Sequence, residues 1–327
     1  MWKNWLQLGR AQTWPATFLL IMTPFLQGQF TFIGMLALVL FTWFVHFASF
    51  GHNSLMDAAM MYDQKDPSKK DHPLISGKIS LTAAHNVIHW SLCGLSIWAI
   101  ILSVALSPNP LPSIISIFIW FVFGYAYNSG LSKESLIGFL PISICFTAMA
   151  GWGWFLSHWD LNPGGIIYLA YAFLTILYQT SWSGFIKEMQ LRERSNILVR
   201  MGAKLDETFW GKKLLPGKSC FYAYLVKGSG LVLACLLCWL NFSLVRLVVL
   251  VLLGTVVIWL LYQTTRNRVY DRNRELKLMS LMEVATIFLP IPLMLGLLES
   301  AVLMVGGVAY FWVMNKILWG TPLFPKV

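Results

Sequence analysis

Long, unbroken apolar runs dominate the sequence, and polar segments of unequal length separate them. A membrane-spanning α-helix needs about 20 predominantly apolar residues, each adding about 1.5 Å of rise. The runs of suitable length cover residues 13–29, 31–51, 80–106, 112–128, 135–157, 164–184, 220–240 and 243–262. The last stretch, 280–318, is long enough for two crossings, and Pro290, Pro292 and Gly296 interrupt it. The pattern therefore predicts an all-α, polytopic membrane bundle of nine or ten transmembrane helices.

The composition supports a membrane protein and excludes other classes. Of the 327 residues, 57% are hydrophobic and 12% are charged, whereas soluble domains average about 25% charged residues. So few charges cannot coat a water-facing globule of this size, which excludes a large soluble domain, and the hydrophobicity excludes a disordered chain. A transmembrane β-barrel is excluded because its strands alternate apolar and polar residues over about ten positions.

The positive charges give the predicted orientation. Cytoplasmic loops of membrane proteins are enriched in Lys and Arg. With the N-terminus inside, 20 of the 24 Lys and Arg residues fall in inside segments, and the outside loops hold only Arg246. The net charge of +10 therefore indicates cytoplasmic loops rather than a nucleic-acid partner. The inside segments are the N-terminal arm and loops 52–79, 129–134, 185–219 and 263–279.

Three carboxylates follow the second predicted span where it meets the inside surface. Asn53 and Asp57 are four residues apart and would share one face of a helix, and Asp63 and Asp66 follow them. Magnesium prefers oxygen ligands and usually keeps waters and a substrate phosphate. The cluster therefore predicts a magnesium site with these four residues as ligands.

A diphosphate substrate explains why a metal would be needed. A carboxylate about 5 Å from one phosphate charge repels it by about 3 kcal/mol at an effective dielectric of about 20. A bridging divalent cation reverses that sign and stabilises the charge on a departing diphosphate. Lys69, Lys70 and Lys78 lie in the same loop and can add positive charge next to the phosphates. The alternative interpretation is a solvated loop that is stabilised by interactions between its own Asp and Lys side chains.

These motifs resemble those of the UbiA superfamily of intramembrane prenyltransferases. The first Asp-rich loop of that family pairs an Asn with Asp residues and ends like RPLxSGxIS, and residues 70–80 here read KDHPLISGKIS. The spacing of Asn53, Asp57 and the two later Asp residues is most like the menaquinone-type and vertebrate-type branch. Further similar segments bring the resemblance to about residues 8–262; they lie at 8–28, 125–133 and 196–202.

The resemblance implies a nine-helix bundle around a central cavity, with two Asp-rich loops on the cytoplasmic side. It also implies one prenyltransferase-like domain over 1–327, capped by the inside loops 52–79 and 185–219. The implied catalytic residues are Asp57, Asp66 and Lys70. The implied diphosphate-binding residues are Lys69, Lys70, Lys78, Tyr125, Lys133, Arg192 and Arg194.

The second motif departs from the pattern of the family, which is usually DxxxD. No Asp stands in the region before Asn196. Glu188 can replace one metal ligand, and Arg192 or Arg194 can bind phosphate directly through a charge-assisted hydrogen bond. The sequence therefore leaves open whether one metal ion or two are bound.

Polar residues of the third span and of the segment after the fourth are candidates for an acceptor site. His85 and His89 are four residues apart, with Asn86 between them. We expect Asn86, His89 and Tyr127 to line the cavity and orient an acceptor. A polar helix face without a binding role is the alternative for the histidines, and placement at the membrane interface is the alternative for the tyrosines.

Three functions are consistent with these features. The leading hypothesis is a magnesium-dependent prenyltransferase that moves an isoprenyl group from a prenyl diphosphate to an aromatic or other lipophilic acceptor within the membrane. An intramembrane terpene cyclase would keep the ionisation step and need no acceptor. A non-catalytic subunit that binds prenyl lipids or assembles with a partner would explain the missing second motif, because basic loops also bind anionic lipid.

Overall fold

The structure is a computed structural model that describes residues 2–61, 63–65, 69–131, 139–191, 196–206, 212–266 and 269–321. Within these ranges the chain is predominantly helical, with one two-stranded sheet. The chain divides into two compact units. The first unit comprises Met1–Ser129, Ala148–Asp160 and Leu298–Val327, and the second comprises Gly130–Thr147 and Leu161–Leu297.

Long helices make up most of both units. In chain order the helices are α1 (Trp2–Leu8), α2 (Trp14–Gln27), α3 (Phe32–Ala59), α4 (Leu81–Leu106), α5 (Pro110–Ala126), α6 (Phe139–Phe155), α7 (Pro163–Leu191), α8 (Ile197–Arg200), α9 (Gly217–Leu240), α10 (Leu244–Arg266), α11 (Arg272–Phe288), α12 (Pro290–Met294) and α13 (Leu297–Trp319). The strands are β1 (Lys204–Asp206) and β2 (Lys212–Leu214). Short 3₁₀ turns cover Ala11–Thr13 and Asp63–Lys65, and a π-helical turn covers Tyr127–Leu131.

Side-chain caps fix where several of the helices begin. The Thr31 side chain accepts a hydrogen bond from the Gly34 backbone N–H at 3.1 Å and starts α3. Ser80 does the same at the start of α4, and Asp271 accepts from two backbone N–H groups at the start of α11. Each cap satisfies backbone donors that have no partner inside the helix.

Close packing around α4 and α6 forms the interior of the first unit. The Trp152 indole N–H donates to the Ser103 hydroxyl at 2.9 Å, which satisfies a buried polar group. A Cβ placed on Gly153 would lie 2.3 Å from the Ile21 carbonyl oxygen, so only glycine permits this approach of two backbones. The residues 148–160 are thereby held to the N-terminal helices of the same unit.

A buried ion pair links the hairpin of the second unit to its helices. The two strands pair antiparallel, with Lys204 opposite Leu214. The Lys213 ammonium donates to Glu275 Oε1 at 2.7 Å and to the Thr264 carbonyl at 2.6 Å, and both charged side chains are buried. Burial lowers the pKa of Lys213, and the opposite charge of Glu275 works against that shift.

Arg246 has a structural role at the start of α10. Its guanidinium donates to the carbonyl oxygens of Asn241, Pro292 and Leu295 at 2.5 to 3.2 Å. These carbonyls lie at the ends of α9 and α12, where backbone acceptors lack helical partners. The single basic residue of the predicted outside loops therefore satisfies helix termini.

The described residues confirm the all-α, multi-pass prediction at the level of fold class. Seven helical segments are long and apolar enough to cross a membrane, and α6, with 17 residues, is a shorter apolar helix. Helix α2 has 14 residues, fewer than the predicted span 13–29, because α3 begins soon after it. The stretch 280–318 belongs to two of the seven segments, Arg272–Met294 and Leu297–Trp319. The count of nine or ten spans stays a prediction.

Three predicted boundaries were wrong, and in each case the structure has helix or strand where the pattern predicted a loop. Helix α3 continues to Ala59, beyond the predicted end at residue 51. The predicted loop 263–279 contains the start of α11, because the Asp271 cap allows a helix whose Glu275 and Met279 are buried. The predicted loop 185–219 contains the end of α7, the short helix α8 and the hairpin.

Candidate active site

The extension of α3 places Asn53 and Asp57 in the last turns of that helix. The Asn53 amide donates to the Asp57 carboxylate over 3.4 Å, so the two side chains share one helix face as their spacing predicts. Both residues are half-buried. The amide carbonyl and the carboxylate are oxygen donors of the kind that a magnesium ion prefers.

A second carboxylate follows the end of α3 and is buried. Met61 adopts a left-handed backbone conformation with φ of +62°, which is costly for a side chain of this size and ends the helix sharply. Asp63 opens the following 3₁₀ turn and is only 9% exposed. Its Oδ2 atom has no hydrogen-bond partner among the described residues. A buried carboxylate oxygen of this kind is costly to leave unsatisfied and fits a bound cation.

The lysines of this loop differ in burial. Lys69 is 3% exposed, whereas Lys70 and Lys78 are exposed to solvent. Lys69 is therefore held within the structure, and the other two are free to reach an anionic group by rotating their side chains. Asp66, the remaining predicted ligand of this loop, lies outside the described residues.

His72 is a candidate site residue that the sequence analysis missed. The side chain is 8% exposed, and neither ring nitrogen has a hydrogen-bond partner among the described residues. Burial lowers the pKa of His72 to about 4; the positive charges of Lys69 and Arg10 add to that shift and Asp63 opposes it. A neutral imidazole thus lies near the acidic and basic groups of the loop. The signal in the sequence that could have identified His72 is its position in the segment KDHPL, residues 70–74.

The segment 74–80 attaches the loop to the helices. Leu74 and Ile79 are buried in a cluster with Leu55 and Ala58 of α3. Gly77, between them, has a φ of +71°, a backbone conformation that side chains other than glycine rarely adopt. The LISGKIS motif therefore works locally as two apolar anchors, a glycine turn and the Ser80 cap.

Aromatic and imidazole side chains meet where α3, α4 and the end of α5 come together. The Asn128 amide nitrogen lies 2.9 Å from His52 Nδ1. The His52 ring stacks on Tyr125 with centroids 5.8 Å apart and meets His89 edge-on at 5.5 Å. His89 in turn stacks on His85 at 4.0 Å. The sequence analysis named His89 and Tyr125 but could not place His52 and Asn128 beside them.

The other predicted acceptor residues are more accessible. Asn86 is exposed on α4, and Tyr127 is half-buried at the start of the π-helical turn. Tyr125 is 62% exposed. Both tyrosines therefore lie near a surface that a ligand could reach.

The second predicted loop is described only in part. Glu188 lies in α7, but its side chain is outside the described residues, as are Arg192, Arg194 and Lys133 in full. The following motif is described: Asn196 caps α8 by accepting from the Leu198 N–H at 2.8 Å and donates to the Ser181 carbonyl at 2.7 Å. Gly202, with φ of +96°, follows that short helix.

The complete predicted ligand set cannot be assembled from the described residues. Among them, no group of three or more His, Cys, Asp and Glu side chains is arranged to hold a metal ion. Asp57 and Asp63 are the two predicted carboxylate ligands whose side chains the structure describes. The assignment of the metal ligands stays a prediction.

A model of the UbiA prenyltransferase family matches residues 13–288, most of the chain. The chain belongs to the UbiA prenyltransferase family. The resemblance drawn from the acidic loop is therefore confirmed, and the protein is an intramembrane transferase of prenyl groups. No curated protein matches the sequence of this UbiA family member.

Solved structures share the fold of this UbiA protein. A digeranylgeranylglyceryl phosphate synthase matches with a TM-score of 0.59 and 18% identity over 89% of this chain and 100% of that one. A UbiA homologue from Archaeoglobus fulgidus bound to GPP and Mg²⁺ matches at 0.61 and 14%, over 89% and 99%. The apo homologue from Aeropyrum pernix K1 matches at 0.60 and 13%, over 91% and 96%. At these identities the likeness establishes the fold.

Proposed function

We propose that this protein is a magnesium-dependent prenyltransferase that moves an isoprenyl group from a prenyl diphosphate to a lipophilic acceptor within the membrane. Membership of the UbiA family supports the transfer reaction. The Archaeoglobus homologue binds GPP and Mg²⁺, which supports the same donor class and metal here. The observation that carries the site assignment is the buried Asp63 Oδ2 atom after the end of α3, which has no hydrogen-bond partner among the described residues.

Asn53, Asp57 and Asp63 would hold the magnesium ion, with Asp66 and Glu188 completing the ligand set. Their oxygen donors suit a hard cation, and the Asn53–Asp57 hydrogen bond keeps the two side chains on one face. When bound, magnesium supplies Lewis-acid assistance to the departing diphosphate. Asp63 would contribute because its buried oxygen is already stripped of solvent and meets no hydrogen-bond donor in the part of the chain that the structure describes.

Basic side chains of the same loops would bind the diphosphate. Lys70 and Lys78 are exposed and can extend toward phosphate oxygens, whereas Lys69 acts from a buried position. Tyr125, Lys133, Arg192 and Arg194 are the further candidates. Positive charge held next to the leaving group stabilises the negative charge that grows as the allylic C–O bond breaks.

The apolar helices would hold the isoprenoid chain and exclude water from the allylic cation. Exclusion of water matters because water attacks a prenyl cation that it contacts. We assign the protein one prenyltransferase domain over 1–327, with loops 52–79 and 185–219 as its cap. The N-terminus and the long basic loops would face the cytoplasm, as the distribution of Lys and Arg indicates.

A substitution that preserves shape tests the role of Asp57. In Asp57→Asn the carboxylate charge is lost but the size and the hydrogen-bonding capacity remain. Because metal assistance contributes several kcal/mol and about 1.4 kcal/mol corresponds to tenfold in rate, turnover should fall by about 100-fold or more. The measurement is magnesium-dependent consumption of geranylgeranyl diphosphate by purified protein in a membrane lipid extract.

Asp71→Asn is the matched control, since Asp71 is an exposed carboxylate of the same loop. We expect its turnover to equal that of the wild type. Wild-type turnover in Asp57→Asn would remove Asp57 from the active site, and equal losses in both variants would show that only the net charge of the loop matters.

A further inference from the structure

An aromatic groove lies between α1, α3 and α4 of the first unit. Its volume is about 580 Å³, which is within the range of about 300–1,000 Å³ that is typical of ligand pockets. Among the described residues ten line the groove, and six of these are aromatic: Trp2, Trp5, Trp43, Phe44, Phe47 and Trp98. Because Trp2 and Phe44 are largely exposed, the groove opens at the surface of the protein. A continuous apolar surface of this kind indicates a binding site.

The dimensions of the groove match one leaflet of a bilayer. On α3 it extends from Phe47 to Trp43, away from the polar end of that helix. On α4 it extends from Ser91 to Trp98, which is about 10 Å at about 1.5 Å per residue. Because the hydrocarbon layer is about 30 Å thick, one leaflet contributes about 15 Å, and the groove fits within it. The groove therefore has the depth of a single lipid chain.

Gly94 keeps the groove open. It is an exposed residue inside α4, and no heavy atom of the described residues lies within 4 Å of a Cβ added at this position. Glycine is unfavourable inside a helix because of its conformational freedom. A larger side chain at this position would extend into the groove without meeting the protein.

Helix α1 forms one side of the groove and is fixed at its C-terminal end. A Cβ added at Gly9 would clash with the Phe47 ring, so glycine allows the chain after α1 to pack directly on α3. The Gln7 amide donates to the Leu318 carbonyl at 2.9 Å. These contacts hold α1 against the helices, with Trp2 and Trp5 in the wall of the groove.

The charge next to the groove is positive. Lys3 follows Trp2 on α1 and is exposed. No Asp or Glu occurs in α1 or α4, and the single acidic residue of α3 is Asp57, beyond the groove. Helices that lie in the membrane interface place Trp rings among the lipid chains, and their lysines extend toward the headgroups. A lipid with a negative headgroup therefore complements this surface.

We propose that the groove between α1, α3 and α4 binds one anionic phospholipid, with an acyl chain against the aromatic side chains and the phosphate next to Lys3. The groove is distinct from the acidic loop after α3. The inference therefore goes beyond the proposed function and does not depend on it.

Two photoreactive lipids test this site. A phosphatidylglycerol and a phosphatidylcholine carry the same diazirine-labelled acyl chain, and each is added in trace amounts to phosphatidylcholine nanodiscs that contain the full-length protein. After irradiation, peptide mass spectrometry measures the labelling of the groove residues relative to the exposed face of α9 at Val232. A basic residue near an anionic headgroup contributes about 1 kcal/mol, so this ratio should be about fivefold higher for phosphatidylglycerol.

Variants assign the labelling to the groove and to its charge. Gly94→Phe fills the groove and should reduce its labelling by phosphatidylglycerol to the level at Val232. Gly306→Phe is the matched control, because Gly306 is an exposed glycine of α13 that also has no described atom within 4 Å of an added Cβ; labelling of the groove should persist. Lys3→Gln keeps a polar side chain without the charge, and should label equally with the two lipids.

The contrary outcomes are equally definite. Equal labelling of the groove by the two lipids in the wild type would overturn the anionic-lipid site, as would unchanged labelling in Gly94→Phe. Labelling of the groove below that of Val232 with both lipids, which a second copy of the chain covering the groove would produce, would overturn it as well. None of these measurements involves magnesium or a diphosphate, so they decide the lipid site whether or not the proposed function holds.

Discussion

Neighbouring charged residues in the loop after α3 differ sharply in burial. Lys69 is 3% exposed, whereas Lys70, the next residue along the chain, is exposed. Asp63 is buried, and its Oδ2 atom finds no hydrogen-bond partner within the described ranges, whereas Asp71 lies in solvent. The sequence could show that the loop carries Asp and Lys residues at a helix end. It could not tell which of them are buried, because burial depends on the backbone conformation at Met61 and on where Leu74 and Ile79 are anchored.

The pKa of His72 predicts a pH dependence of stability. Burial lowers this pKa to about 4 in the folded protein, whereas the unfolded chain titrates near about 6.5. As the pH falls below about 6.5 the unfolded state takes up a proton first, so stability is lost progressively down to about pH 4. Between about pH 7.5 and about pH 5 the loss should be about 2 kcal/mol.

The measurement is the unfolding midpoint in magnesium-free detergent solution, compared with His72→Gln. The wild type should lose more stability than the variant over this pH range, because glutamine does not titrate. Parallel curves for the two proteins would mean that His72 is solvated in solution.

Secondary-structure elements that carry polar residues were the hardest to predict. The apolar pattern located the cores of α3, α4, α9 and α10 well, because hydrophobicity decides where a membrane helix lies. It ended α3 too early, because residues 52–57 include polar side chains although they lie within the helix. It also placed Lys213 in the inside loop 185–219, because a charged residue in a single sequence gives no sign of a buried partner.

The hairpin should depend on the pair formed by Lys213 and Glu275. In Lys213→Met the Glu275 carboxylate stays buried without its partner, which typically costs about 3–5 kcal/mol. The double variant Lys213→Met/Glu275→Leu removes both charges and should recover most of that loss. Thermal unfolding of the three proteins in the same detergent is the measurement. A single variant as stable as the wild type would show that the pair is solvated, contrary to the structure.

At the scale of the whole molecule, family membership and the apolar helices establish an integral membrane protein. The sequence alone supports this conclusion, because the long apolar runs and the acidic loop of the first motif can both be recognised in a single sequence. The number of spans was less secure, since α2 and α6 are shorter than about 20 residues and hydropathy alone does not settle how they contribute. Acceptor identity and donor chain length depend on the shape of the binding cavity rather than on any local motif.

The predicted orientation is open to a labelling experiment. With the exposed native thiols of Cys93 and Cys235 and the half-buried thiol of Cys220 replaced by Ser, one accessible cysteine is introduced at Lys70 or at Asn241. A membrane-impermeant thiol reagent added outside intact cells should label Asn241→Cys and leave Lys70→Cys unlabelled until the cells are opened. The reverse pattern would invert the topology and place the acidic loop outside.

The proposed function requires the end of α3 to hold a divalent ion against a prenyl diphosphate. The most direct test is anomalous diffraction from crystals of the full chain grown with Mn²⁺ and a non-hydrolysable prenyl thiodiphosphate. We expect a manganese peak about 2.0–2.3 Å from carboxylate oxygens of Asp57 and Asp63, with diphosphate oxygens on its other side. A diphosphate bound elsewhere, or bound here while the metal lies away from both carboxylates, would contradict it.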